Sequence, residues 1–297
     1  MRNQMFKIIL ICFFAGITNA QHDLAYKVKP GDKFKIYQSS TQEISQDMAG
    51  QLHKMTTTIE GDFTFVVEAV NDDVIEFRFK YDRFLMKTNS NLAGEVMNVD
   101  TALIPSGDDM MGQMLFKMIG IDMKLFMSKT GKIKEIQGSD ALLDNMVSVF
   151  PDLDEATKAQ IKKSMEVDFG SQSLSESFEQ MTYIYPTTIV NPGDSWKNVF
   201  NGDLKSSNTW TFEEITKEGL LISGLSDVDF DTTTESLEMN LTGTMKTSIT
   251  ADAETGFLKQ MHVVSNVEGS SELLQMPDQQ FPTRVKTTTD YRVDKLK

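Results

Sequence analysis

Apolar and polar residues alternate along much of the chain, which is the pattern of strands with one buried face. The clearest example is a pair of segments, 63–69 and 75–81, separated by Asn71-Asp72-Asp73. In both segments the odd-numbered residues are apolar, most of them aromatic, and the three polar residues between them suit a turn. The sequence therefore predicts a long antiparallel hairpin with one aromatic and one charged face.

The C-terminal part of the chain shows the same alternation. It runs from Met239 to Ile249, reaches the turn signal Thr255-Gly256 and resumes at Met261. Threonine is abundant on the polar positions, as is typical of exposed strand faces. We therefore expect β-meanders in both halves of the chain.

Helical periodicity occurs between these two regions. Apolar residues recur at helical spacing across 140–150, and Pro151 ends the pattern. Asp152 or Asp154 is then expected to cap a second helix, and Ser173 followed three residues later by glutamate predicts a capping box for a third. The predicted fold class is strand-dominated α+β, with two related antiparallel β-meander halves and a helical connector that covers a sheet face or end.

Two short motifs occur twice, in the same order. Segments 28–34 and 190–196 both contain Pro-Gly-Asp followed by one residue and an aromatic, and Thr-Gly occurs at 130–131 and 255–256. These echoes indicate an internal repeat with an insertion in its first copy. The predicted divisions are a first β-rich half at 21–138, a helical connector at 139–183 and a second β-rich half at 184–297, and the halves could share one core.

The first twenty residues have the three parts of a secretory signal peptide. Arg2 and Lys7 precede the apolar run 8–14, and small residues lead to a predicted cleavage between Ala20 and Gln21. The apolar run is too short to span a bilayer, and no later run approaches the roughly 20 residues needed. We therefore expect a soluble exported protein, periplasmic or extracellular, without a transmembrane segment after cleavage.

Charge and cysteine content narrow the function classes. The chain has 43 acidic and 29 basic residues, and its formal net charge is -14. Such an acidic surface repels phosphate backbones, so no nucleic-acid partner is expected. The single cysteine, Cys12, lies within the predicted signal peptide, which argues against a disulfide framework or a thiolate metal site.

No residue pattern in the chain indicates catalysis. The three histidines, His22, His53 and His262, belong to no metal-binding pair, and there is no nucleophile elbow or phosphate-binding glycine loop. The sequence therefore predicts no catalytic residues, no metal, no cofactor and no enzymatic activity.

Methionine is unusually dense between Met97 and Met127. Four methionines follow one side of a predicted helix, at positions 110, 111, 114 and 118. Core packing, a flexible apolar lid over a cavity and thioether coordination of Cu(I) all fit this pattern, because methionine is both adaptable and a soft ligand.

The whole layout resembles a known type of exported protein. Pro-Gly-Asp-Lys-Phe at 30–34, the polar stretch 42–48 and Tyr185-Pro186 leading into the second Pro-Gly-Asp resemble a family of uncharacterised exported bacterial proteins, β-rich and duplicated. In architecture alone, the chain is also distantly similar to the half-barrel carriers of lipoproteins or lipids in the periplasm. Neither resemblance implies catalytic residues, and fold does not establish function.

The expected function is therefore non-catalytic binding of a lipid or other apolar ligand in the cell envelope. The alternative is a structural module with a solid core that docks onto another envelope protein. The candidate ligand-binding residues come from the aromatic hairpin face and the methionine segment: Phe63, Phe65, Phe77, Phe79, Met110, Met114 and Met118.

Export can be tested on protein isolated from its native host. We expect intact-mass spectrometry to show a chain that begins at Gln21, because Ala20 closes the predicted signal peptide. A retained N-terminus or a lipid on Cys12 would contradict this prediction.

Overall fold

Long antiparallel strands dominate the computed structural model. It describes residues 21–48, 50–202, 204–233, 237–275 and 279–297, so the predicted signal peptide and its residue Ala20 lie outside the described residues. Within these ranges, twelve strands and four helices confirm the strand-dominated α+β class predicted from the sequence.

The N-terminal meander consists of six strands and one short helix. Its elements are β1 (Lys33–Met48), β2 (Gln51–Asn71), β3 (Val74–Ser90), β4 (Gly94–Asp100), α1 (Met110–Lys117), β5 (Met123–Ser128) and β6 (Ile133–Gln137). The predicted aromatic hairpin is β2 and β3, in which Phe65 pairs with Phe79. Asp72 adopts a positive φ of 40° in its turn, as predicted turn residues often do.

Three helices lead to the C-terminal meander. The elements are α2 (Ser139–Val147), α3 (Glu155–Phe169), α4 (Ser171–Thr182), β7 (Ser195–Phe200), β8 (Leu204–Ile215), β9 (Leu220–Thr233), β10 (Leu237–Ala251), β11 (Leu258–Leu273) and β12 (Gln280–Leu296). Asp154 caps α3 by accepting a 3.0 Å hydrogen bond from the Thr157 N–H, as predicted. The capping box at Ser173 is wrong, because α4 begins two residues earlier, directly after Gly170.

All these strands belong to one sheet. Their order is β6-β5-β3-β2-β1-β12-β11-β10-β9-β8-β7, and β4 pairs with the end of β3 that β5 leaves free. The first and last strands pair with each other along 33–46 and 283–296, so β1 and β12 lie side by side in the middle of the sheet. The two edges are therefore β6 and β7, which the helices connect.

Helix α4 and the residues after it bind both edges of the sheet. At β6, the Ile133 N–H donates to a carboxylate oxygen of Glu179 at 3.0 Å. At β7, Asn198 Nδ2 donates to the Tyr183 carbonyl at 2.6 Å, and Trp196 Nε1 donates to the next carbonyl at 3.0 Å. Because one short segment reaches both edges, the sheet must curve around it.

A second set of contacts joins the two Thr-Gly turns, and we call it the turn junction (residues 24–28, 128–132, 182–185 and 252–257). The Tyr26 N–H donates to the Lys129 carbonyl at 2.9 Å, and the Lys27 N–H donates to the Thr255 carbonyl at 2.7 Å. The Tyr26 hydroxyl donates to the Thr182 carbonyl at 2.9 Å, and the Tyr185 hydroxyl donates to the carbonyl of the second turn glycine. The N-terminal segment thus connects both meanders to the end of α4.

The two Pro-Gly-Asp motifs make matching contacts. The Gly31 N–H donates to the Val67 carbonyl at 2.8 Å, and the Gly193 N–H donates to the Phe212 carbonyl at 2.6 Å. In both motifs the aspartate carboxylate accepts a hydrogen bond from the backbone N–H of the residue three positions before it. The internal repeat and the division at 138 and 184 remain predictions, while the buried core is continuous across both meanders.

Gly131 offers a test of the turn junction. It has a φ of +95°, and an added Cβ would lie 1.7 Å from the Thr182 carbonyl oxygen. We expect Gly131→Ala to lower the free energy of unfolding by at least about 2 kcal/mol more than Gly193→Ala, because overpacking adds to the backbone strain. Denaturant unfolding of both variants measures this difference.

Gly193 is the matched control, since its φ is +93° and no atom lies within 4 Å of an added Cβ. If both substitutions lowered the free energy of unfolding equally, the close approach of residue 131 to Thr182 would not contribute to the stability of the protein.

Candidate functional site

The aromatic face of the β2–β3 hairpin forms a solid core over most of its length. Phe65, Phe77 and Phe79 are 2, 1 and 0% exposed. The Phe178 ring of α4 packs edge-on against Phe65 and Phe79, with centroids 5.6 and 5.1 Å apart. Phe257, from the turn junction, lies 6.1 Å from Phe77. These three predicted ligand-binding residues therefore contact other side chains of the protein.

A cavity of about 280 Å³ opens beside this core, between α4 and strands β1, β2, β3 and β12. Of the seven side chains predicted to bind a ligand, Phe63 alone lines it. The remainder of its apolar wall comes from both the sheet and the helices: Ile59, Tyr81, Phe84, Phe169, Leu174, Phe178, Met181 and the ring of Tyr291. The sequence alternation places 59 and 63 on one face, because the pairing irregularity between Asp62 and Phe63 skips Asp82 of β3 and leaves β2 unbroken there.

The cavity opens to solvent where α3 meets α4. Asp168, at the end of α3, and Ser177, on α4, are the two exposed residues of its lining. Deeper in the cavity, Leu174 and Met181 are 3 and 4% exposed. An apolar molecule entering between the helices would therefore leave water as it moved inward, which is the favourable direction for hydrophobic burial.

Four polar side chains also face the cavity: Gln38, Tyr81, Gln180 and Tyr291. Within the described part of the chain, none of these four side chains forms a hydrogen bond. Burial raises the pKa of Tyr291 to about 12, and it also raises the pKa of Tyr81. Both phenols are therefore neutral at physiological pH and keep a proton that can be donated.

A smaller cavity of about 40 Å³ lies on the other side of Gln180 and Tyr291, which line both spaces. Its wall is formed by α4 together with strands β7, β8 and β10–β12, including Trp210, Met245 and Met261. The two polar residues thus stand between an open cavity and a nearly filled one.

The predicted methionine helix is α1, but it does not line the cavity. Met118, just after the helix, is fully buried, and Met114 packs partly buried against the core. Met110 and Met111 are 39 and 43% exposed. Met118 is therefore a core residue. The positions of these methionines do not support the interpretation of a lid over the cavity or of a Cu(I) site.

A larger groove of about 850 Å³ crosses the opposite face of the sheet, but four of its ionisable side chains form two pairs. Arg83 contacts Glu60 at 2.7 Å and Asp100 at 2.9 Å. His262 Nδ1 lies 2.7 Å from Asp290, and the histidine is exposed on its strand. Because these pairs satisfy one another, the cavity at α4 is the better candidate site.

Sequence reasoning missed most of this cavity. Gln38 follows Phe34 and Ile36 at period two, so alternation places it on the buried face. The convergence of Gln180 and Tyr291 had no comparable signal, because they are 111 positions apart in the chain and meet only when β12 and α4 pack together.

The two roles within the methionine segment can be separated by substitution. We expect Met118→Ala to lower the free energy of unfolding by about 2–5 kcal/mol, because it empties a fully buried site. Met111→Ala should change it by less than about 0.5 kcal/mol, since Met111 is exposed on the helix surface. If denaturant unfolding showed comparable losses of unfolding free energy for both variants, the side chain of Met111 would have to be packed against other residues in solution.

Comparison with known proteins gives a family and a fold. A model of a family of unknown function, DUF6263, matches residues 72–258. No curated protein matches the chain. In the described ranges, the helices are all too short or too polar to cross a membrane.

Among solved structures, one that reports lipid–protein interactions in lipovitellin matches with a TM-score of 0.52 at 10% identity. The match covers 90% of this chain and 25% of the lipovitellin chain, so this protein spans about a quarter of that length. DynF from Micromonospora chersina matches with a TM-score of 0.27 at 10% identity, covering 95% of this chain and 88% of its own.

An outer membrane channel from Pseudomonas putida F1 matches with a TM-score of 0.25 at 8% identity, covering 91% of this chain and 98% of its own. Of these three structures, the lipovitellin match is close enough to show a shared fold. The family match is the more direct finding, because it extends over more than half of the sequence and includes the strands and helices on both sides of α4. The chain therefore belongs to the family of unknown function DUF6263.

Proposed function

We propose that this protein binds a lipid or another apolar ligand in the cavity beneath α4, without catalysing a reaction. The observation that carries the proposal is an open, mostly apolar space of about 280 Å³ beside the continuous buried core. A gap in such a core has a cost, because the lining side chains lose contacts with other atoms. A ligand that fills the space would restore those contacts.

The dimensions and composition of the cavity support this function. Ligand sites usually measure about 300–1,000 Å³ and combine an apolar wall with a few polar groups. The cavity at α4, at about 280 Å³, lies just below that range, and Phe63, Phe84 and Leu174 supply apolar wall from three different elements. Such a space suits one slender apolar group.

The fold similarity is consistent with the same function. The lipovitellin structure concerns lipid–protein interactions in that protein, and its sheet shares the fold of this chain. We further propose that the protein is exported and acts in the periplasm or outside the cell, as its N-terminal sequence predicts.

A second candidate function is docking onto an envelope protein. Exposed apolar side chains are concentrated on β4, on α1 and between them: Val96, Leu103, Ile104, Met110, Met111 and Phe116. Exposed apolar residues grouped in this way are typical of interaction surfaces. Docking would use this surface and leave the cavity at α4 unaffected.

A neutral fluorescent probe, N-phenyl-1-naphthylamine, tests the cavity directly. Wild-type protein should bind it with enhanced fluorescence, because the probe leaves water. Ser177→Trp should weaken binding by at least tenfold, since an indole at the mouth would occupy the entrance. Fluorescence titration and circular dichroism of each variant provide the measurements.

Gln172→Trp is the matched control, because Gln172 is exposed on the same helix and does not line the cavity. It should bind the probe as the wild type does. Equal binding by the Ser177 variant, or no binding by the wild type, would reject ligand binding at this site and leave docking as the better function.

A further inference from the structure

We infer that the ligand of this cavity is an uncharged amphiphile with one apolar chain and a hydroxyl or carbonyl group, an inference that rests on the proposed function. Monoacylglycerols and long-chain alcohols belong to this chemical class. The inference follows from the charge, the free hydrogen-bonding groups and the volume of the cavity.

The cavity lining contains no group that would neutralise an anion. Lysine, arginine and histidine are all absent from the residues that line it, and its one charged residue is Asp168, exposed at the mouth. A carboxylate or phosphate buried here would lose its hydration without gaining a cation. A fatty acid anion or a phospholipid headgroup therefore fits the interior poorly.

A buried ammonium group fits no better. Asp168 lies at the solvent-exposed opening and already has an interaction with another residue of the chain. Deeper in the cavity, the polar groups are the amides of Gln38 and Gln180 and the neutral phenols of Tyr81 and Tyr291. These groups match an uncharged head.

The same four side chains explain why the ligand should be polar at one end. In the described part of the protein they have no hydrogen-bond partner, and none of them is sealed from water, since Asn191 Oδ1 is the one buried side-chain polar atom there that lacks a partner. A ligand that displaces water from the cavity must therefore replace the hydrogen bonds that water makes to these groups. The phenols can donate to a carbonyl or hydroxyl oxygen, and the amides can donate and accept. An ester or alcohol would satisfy these groups, while its chain contacts Phe63, Phe84 and Leu174.

The volume limits the ligand to one chain. About 280 Å³ lies below the usual range for drug-sized ligands, and the adjoining space beyond Gln180 adds only about 40 Å³. A second acyl chain would have to remain outside the mouth, in water.

Displacement of N-phenyl-1-naphthylamine by twelve-carbon competitors tests the inference at pH 8, below their micelle concentrations. We expect monolauroylglycerol and dodecanol to displace the probe at concentrations at least tenfold lower than laurate or dodecyltrimethylammonium. Equal displacement by either charged competitor would overturn the inference while leaving apolar binding intact. Failure of the wild type to bind the probe would instead reject the proposed function and this inference together.

Because an alcohol partitions from water more readily than an anion, variants must show that the polar groups recognise the head. Tyr291→Phe and Gln180→Met should each weaken monolauroylglycerol binding by about five- to tenfold, the effect of one lost hydrogen bond. Both variants should bind the probe within twofold of wild type. Gln172→Met, on the exposed side of α4, is the control and should match wild type for both ligands. Unchanged monolauroylglycerol affinity in both test variants would overturn the role of the head group.

Discussion

The fold depends on how α4 and the residues after it are bonded to both edges of a single curved sheet. An edge strand has no neighbouring strand on one side, so other parts of the chain can bond to it there. Here β6 donates to Glu179, and side chains of β7 donate to the carbonyls of Tyr183 and Ile184. The turn junction then attaches the end of α4 to both meanders through Tyr26 and Tyr185. The sheet can therefore remain open while its edges are held by one helix.

The position of α4 also creates the cavity. Phe178 contacts aromatic rings of β2 and β3 and also lines the cavity. Ser177, Gln180 and Met181, on the same helix, line it as well. Since Phe178 both packs α4 against the sheet and lines the cavity, the proposed ligand binding and the stability of α4 are expected to be coupled.

Neutral chemistry distinguishes the cavity from the groove on the opposite face. In the groove, guanidinium, carboxylate and imidazole groups pair with each other across neighbouring strands. In the cavity, burial keeps Tyr81 and Tyr291 protonated, and no cation accompanies them in the lining. A protein with a strongly acidic net charge thus contains a cavity whose lining has no cationic side chain.

The sequence by itself determined the local elements. Period-two alternation predicted the β2–β3 hairpin and its Asn71-Asp72-Asp73 turn, helical spacing across 140–150 predicted α2, and a cap at Asp152 or Asp154 predicted α3, because such patterns depend on neighbours along the chain. Only the tertiary structure decided that both meanders share one sheet and that Phe65 and Phe79 pack against Phe178. It also decided that Gln38, Gln180 and Tyr291 meet around a cavity. Those contacts join residues far apart in sequence, and periodicity carries no information about which buried face packs on which.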